Sequence, residues 1–349
     1  MPIVISTGTA VPENVYTQDD IKSAYGNVVN GDLRRYFNIF DHAGVQRRHL
    51  SFPLEYYQSA HPFQKRNADF QSVACLLAER AVSQCLDSAG LAPDRIDHLI
   101  SVTTTGIATP SLEARLANRL GLKPLVRRTP MFGLGCAGGV GALALASEYA
   151  QAFPERIVLV VAAELCGQTF QIGDVSVKNL IGVSLFGDGV AAALVAGDRA
   201  VSGDGVRLLS NRSELYPHTL DAMGWDVNQD GFVLMLSQEV PRLIARHIRA
   251  SSKGLFEEFG LDLDRISHFA LHPGGPRILD AYVEALDLND EQLCFSRKVL
   301  ADYGNLSSAS VFFVLDEILK QPKRPSPGQW GWMAALGPGF GCEQILMQW

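Results

Sequence analysis

Three residues able to act as nucleophile, base or oxyanion donor stand in tightly constrained surroundings: Cys136, His272 and Asn305. Cys136 lies in Gly135-Cys136-Ala137-Gly138-Gly139, at the head of an alanine-rich apolar stretch that predicts a helix over 139–150. Glycines permit the tight turn that projects a side chain from such a corner. A helix start sets backbone N–H groups and a positive dipole end beside the sulfur. That predicts a lowered thiol pKa and donors for the oxyanion of an acyl thioester. The plainer reading is a core cysteine packed among glycines. His272 follows an apolar strand at 268–271 and opens His272-Pro273-Gly274-Gly275-Pro276, a rigid turn at a strand end where an α/β sheet faces its cleft. Asn305, in Gly304-Asn305-Leu306-Ser307-Ser308-Ala309-Ser310, precedes another apolar helix and reads equally well as its cap. Together, a thiol, an imidazole and a neutral amide donor suit acyl transfer through a thioester.

The elements around these residues alternate. Strands are expected at 3–9, 98–104, 156–163, 190–196, 200–210, 231–237, 268–271 and 331–336, with helices at 69–89, 111–120, 139–150, 240–259, 277–286 and up to 319. Residues 123–128 read as a basic turn, and 163–190 as a long connection. Strand–helix alternation predicts layered α/β with helices on both sheet faces. The pattern restarts near residue 200, which suggests two comparable halves, 1–200 with the cysteine and 201–349 with the histidine and asparagine.

Composition narrows the function classes. Of 349 residues, 47 % are hydrophobic and 19 % charged, enough for a large core. A net charge of −7 argues against general nucleic-acid binding. No apolar run is long enough for a membrane span, and residues 1–15 lack the pattern of a secretory signal. The six cysteines are scattered without metal spacing, so a reduced, cytoplasmic chain with no metal site is expected. No dinucleotide or Walker motif stands at a credible position.

The ordered motifs Gly135–Gly139, His272–Pro276 and Gly304–Ser310, with Leu185-Phe186-Gly187-Asp188-Gly189 and the terminal Gly337-Pro338-Gly339-Phe340-Gly341, make the chain resemble thiolase-fold condensing enzymes. It is most similar to the type III polyketide synthases of the chalcone and stilbene synthase superfamily, over nearly its whole length. The resemblance implies a five-layered αβαβα fold of two duplicated halves. It implies that Cys136 carries an acyl group from an acyl-CoA, while His272 and Asn305 stabilise the enolate left when malonyl-CoA loses CO2. CoA thioesters are then the substrates, and no cofactor is required. It further implies that Phe186 is a gatekeeper between CoA tunnel and cavity, and that Thr104, Cys166, Thr169, Trp225, Leu234 and Ser307 line the cavity. Leu234 departs from the aromatic usual in plant members, and Met223-Gly224-Trp225-Asp226 resembles bacterial alkylpyrone and alkylresorcinol synthases, which favour fatty acyl starters. Arg35 and Arg277 stand as candidates for the CoA phosphates, with Arg34, Arg47 and Arg48 as further basic positions; a solvated charged face is the other reading of Arg34 and Arg48. Thr109 falls where family homodimers cross into the partner's cavity. Three other readings stay open: a ketoacyl-carrier-protein synthase III-like single condensation, a catalytically silent acyl-CoA-binding paralogue, and a cysteine hydrolase.

Overall fold

Strands that read as unbroken apolar runs need cover on both faces. Ile157–Leu165 and Asp188–Ala196 are buried along their whole length, and the computed structural model, which describes residues 1–29, 31–201, 203–322 and 324–349, places them at the centre of the fold. Nine strands join in one sheet, in the order Ile266–Leu271, Trp330–Gly337, Gly341–Gln348, Val206–Leu215, Ile3–Ala10, Asp188–Ala196, Ile157–Leu165, His98–Val102 and Arg127–Met131.

Side chains alternate between faces along these strands, and that alternation builds the layers. Leu159, Val161, Ala192 and Leu194 pack beneath the long helix Phe63–Ala89 and the helix Leu112–Arg119. Their neighbours Val158, Val160, Ala191 and Ala193 turn the other way, onto the two apolar helices Gly138–Ala152 and Ser310–Leu319. Those helices are covered in turn by Ala270, Met333, Ala335 and Ile345 from the C-terminal strands. The outer face of the C-terminal strands, with Phe269, Trp332 and Leu346, packs under the helices Val240–Glu257 and Pro276–Leu286. Helix, sheet, helix, sheet and helix follow one another, the five-layered α/β arrangement expected. The middle helices are apolar all round because they touch sheet on both sides.

Three expectations are corrected. Residues 127 and 128 are not a turn: Arg127–Met131 is an edge strand parallel to His98–Val102, its charged side chains turned to solvent. The connection 163–190 holds a helix, Val177–Leu185, whose Ser176 side chain accepts from Asn179 N–H at its start. The strand expected over 200–210 begins at Val206 and runs to Leu215; residue 202 of that range lies outside the described residues. A short hairpin, Asn14–Thr17 with Arg47–Leu50, also forms. Among the described residues no helix is long and apolar enough to cross a membrane.

The mutually parallel strands His98–Val102, Arg127–Met131 and Ile157–Leu165 end on one side, and candidate residues follow them and the C-terminal half's Ile266–Leu271. His272 follows Ile266–Leu271, Thr104 follows His98–Val102, Cys166 follows Ile157–Leu165, and Cys136 lies just beyond Arg127–Met131.

Candidate active site

Cys136 occupies a single tight turn, Gly135–Ala137, that leads into the helix Gly138–Ala152. Two glycines here are required by space. Gly135 has φ +52°, and a Cβ on it would lie 2.3 Å from Pro338 Cδ. A Cβ on Gly139 would lie 2.1 Å from the Ser308 carbonyl oxygen. The cysteine motif thus interlocks with the Gly337–Gly341 loop and with the Asn305 motif, which explains why the three occur together.

Asn305 does not cap the helix Ser310–Leu319; its side chain is fixed locally instead. The amide oxygen accepts from Ser307 N–H at 2.8 Å, and Nδ2 donates to the Gly274 carbonyl at 3.1 Å. An amide nitrogen has two hydrogens, so one remains beyond the bond to Gly274, and Asn305 is among the donors that favour the Cys136 thiolate. Ser307 Oγ stands 3.8 Å from the same sulfur. Gly274 links Asn305 to His272: a Cβ built on Gly274 would lie 3.4 Å from His272 Nε2. Both His272 ring nitrogens are buried without a hydrogen-bond partner among the described residues. Buried polar groups are normally satisfied, so the orphaned imidazole is a candidate place for a bound group.

The expected lowering of the thiol pKa is not met. Burial pushes the Cys136 thiol up to about 12, against donors on Ser307 and Asn305. Burial draws the His272 imidazole down to about 3. The turn does lead into a helix, but burial is the largest influence on this thiol. Each charged form is therefore unfavourable alone, and both groups rest neutral near pH 7.

Of the residues expected in the cavity, Ser307 meets both Cys136 and Asn305, and Thr104 reaches them only through Ser307, the two hydroxyls being 3.3 Å apart. Cys166 and Thr169 are buried in the turn after Ile157–Leu165, where Thr169 Oγ1 donates to the Cys166 carbonyl at 2.7 Å. Phe186, Trp225 and Leu234 form a second group. The Phe186 and Trp225 rings are 6.1 Å apart, and Leu234 pairs with Trp225 across the hairpin Met223–Asn228 and Gly231–Leu236. Phe186 also forms a parallel bridge with Asn305, so this group adjoins the triad.

Arg35, Arg277 and Thr109 are exposed and stand apart from these contacts. Arg35 lies over the Tyr36 ring, and Arg277 is in the first turn of Pro276–Leu286. Arg34 is exposed and donates to the Gly26 carbonyl. Arg47 pairs with Asp302 at 2.9 Å. Arg48 is on no solvated face; it is fully buried.

Glu164 was not anticipated. It is fully buried near the end of Ile157–Leu165, and its carboxylate accepts from Thr104 N–H at 3.0 Å, Thr105 Oγ1 at 2.8 Å and Ser308 Oγ. Burial raises its pKa while these donors oppose the rise. An acid inside an otherwise unbroken apolar strand was the available signal.

The model for the N-terminal domain of chalcone and stilbene synthases matches residues 1–199, and that for the C-terminal domain matches 207–349. A 1,3,6,8-tetrahydroxynaphthalene synthase of Streptomyces peucetius subsp. caesius is 38 % identical, over 99 % of this chain and 93 % of its own length. A protein of Bacillus subtilis (strain 168) described as a putative chalcone synthase is 35 % identical over 100 % and 99 %. The crystal structure of 1,3,6,8-tetrahydroxynaphthalene synthase from Streptomyces coelicolor A3(2), a bacterial type III polyketide synthase, superposes with a TM-score of 0.94 at 34 % identity, covering 99 % of each chain.

Proposed function

The chain belongs to the chalcone and stilbene synthase family and is a type III polyketide synthase, and on that premise we propose that Cys136 holds a fatty acyl starter while malonyl units extend it. The observation that supports this reading is a buried thiol 3.8 Å from Ser307, with the neighbouring Asn305 tied through the Gly274 carbonyl to the turn of the orphaned His272. In acyl loading, His272 takes the thiol proton as sulfur attacks the acyl-CoA carbonyl, and the CoA thiolate leaves with that proton. Malonyl-CoA then loses CO2, and its C–C electron pair becomes an enolate whose oxygen accepts from His272 Nε2–H and Asn305 Nδ2–H. The enolate carbon attacks the Cys136 thioester, forms the new C–C bond and expels the Cys136 thiolate, leaving the lengthened chain on CoA, from which it returns to Cys136 with release of CoA. Repetition gives a poly-β-keto chain that closes to a pyrone or resorcinol-type ring.

A fatty starter is supported by Leu234, aliphatic beside Phe186 and Trp225. A second reading, an aromatic polyketide built without a fatty starter, is favoured by relatives named for tetrahydroxynaphthalene formation. Incubation with labelled malonyl-CoA, alone and with acyl-CoAs of increasing length, separates the two by product mass. A longer starter raising turnover and appearing in the product supports the first; full activity on malonyl-CoA alone overturns it. Leu234→Phe is expected to lower kcat/KM for the longest accepted starter by about tenfold or more, and an unchanged starter profile would remove Leu234 from the cavity. Arg35 and Arg277 are proposed to meet the CoA phosphates, and Thr109 to enter the partner's cavity in a homodimer. Cytoplasmic location and the need for no cofactor beyond CoA thioesters belong to the same proposal.

A further inference from the structure

We propose that Arg48 is a positioning residue for decarboxylation, holding the Phe186 segment in place and, through it, the aim of the Asn305 amide. The inference rests on the role proposed above for Asn305. Within Arg47–Leu50, alternation turns Arg47 outward to Asp302 and sends Arg48 inward, where it is fully buried. Its guanidinium meets the end of the helix Val177–Leu185. Nη1 donates to the carbonyls of Val183 at 2.6 Å and Phe186 at 2.9 Å. Nη2 donates to the Ser184 carbonyl at 2.6 Å and to Gln18 Oε1. Gln18 completes the clamp, its Nε2 donating to Ser184 and Phe40 carbonyls at 2.9 and 3.1 Å. The last carbonyls of a helix lack intrahelical partners and carry the negative end of its dipole, so a planar, multidentate cation suits this place.

The held segment is the one that Asn305 pairs with. Asn305 N–H donates to the Leu185 carbonyl at 2.8 Å, and Gly187 N–H donates to the Asn305 carbonyl at 3.1 Å. There is no slack at this bridge. A Cβ on Gly304 would lie 2.5 Å from the Leu185 oxygen, and one on Gly187 would lie 2.3 Å from the Tyr303 oxygen. A shift of residues 183–186 therefore moves Asn305, whose side chain then misaims at the enolate oxygen. Cys136 sits on another element, in the turn Gly135–Ala137, and Arg48 touches neither it nor His272. The two half-reactions should separate.

Arg48→Met, Arg48→Lys and the milder Gln18→Leu test this. Initial rates of labelled CO2 release from malonyl-CoA are compared with rates of Cys136 acylation by intact mass, each per folded protein. Arg48→Met is expected to lower kcat for decarboxylation by about tenfold to a hundredfold, the effect of a misplaced group, with acylation at the native rate. Arg48→Lys should recover part of the loss, since an ammonium supplies donors without the fork. Gln18→Leu should shift the same ratio less, and it decides the matter if Arg48→Met fails to fold. Decarboxylation and acylation falling in equal proportion, or neither changing, would overturn the inference. A native chain that acylates Cys136 yet releases no CO2 would instead overturn the functional reading on which it rests.

Discussion

Incubated with an acyl-CoA, Cys136→Ala should keep its unmodified mass, and polyketide formation should fall by about a thousandfold or more, as when the nucleophile of a covalent mechanism is removed. The expectation is specific to this thiol. Cys75, Cys85, Cys166 and Cys342 are buried, and burial raises their pKa values as it does for Cys136. Cys136 alone among these five has both Ser307 and Asn305 as donors favouring its thiolate, Asn305 being tied through Gly274 to the turn of the orphaned His272. Cys294 is exposed and can pick up adventitious label, so peptide mapping belongs in the measurement. Because Asn305 is held by Gly274 and Ser307 rather than by the thiol, the alanine variant should still release CO2 from malonyl-CoA. Acyl loading on the variant at the native level and position would end the proposed mechanism.

The fold was legible wherever one local pattern decided it. Apolar runs such as Ile157–Leu165 announce a strand covered on both faces, and the glycines around Cys136 announce a close approach that Pro338 and Ser308 supply. The three candidate residues stood out because they sit in Gly-rich turns at strand and helix ends, where few residue types fit. What could not be read were partnerships between distant segments. Arg48 looked like one basic residue in a charged stretch; only the fold brings Gln18 and residues 183–186 to it. Glu164 offered a signal, an acid in an apolar strand, but its donors come from residues 104, 105 and 308. The thiol pKa went the wrong way for a related reason. A helix start is visible in sequence, whereas the depth of burial that most influences this thiol is a property of the assembled layers.

The remaining large effect separates His272 from Asn305. In Asn305→Ala, CO2 release from malonyl-CoA should fall about 10²- to 10³-fold, the cost of losing one oxyanion donor, while acylation of Cys136 changes little. His272→Ala should impair both steps, because the imidazole serves as base for the thiol and as donor to the enolate. Alkylation by iodoacetamide tests the first of these roles, base for the thiol, without substrate. In the native chain, proton transfer to His272 yields the thiolate without net ionisation, so the rate should be nearly flat through neutrality. Without His272 the thiolate forms only by losing its proton to solvent. With the thiol pushed up to about 12, the rate should then climb about tenfold per pH unit well below that value. The sign follows from burial: a raised thiol pKa leaves less thiolate at every lower pH. Equal alkylation of native and His272→Ala protein at pH 7 would show that the imidazole is no base for Cys136. Equal loss of both half-reactions in Asn305→Ala would show that the amide supports the thiol rather than the enolate.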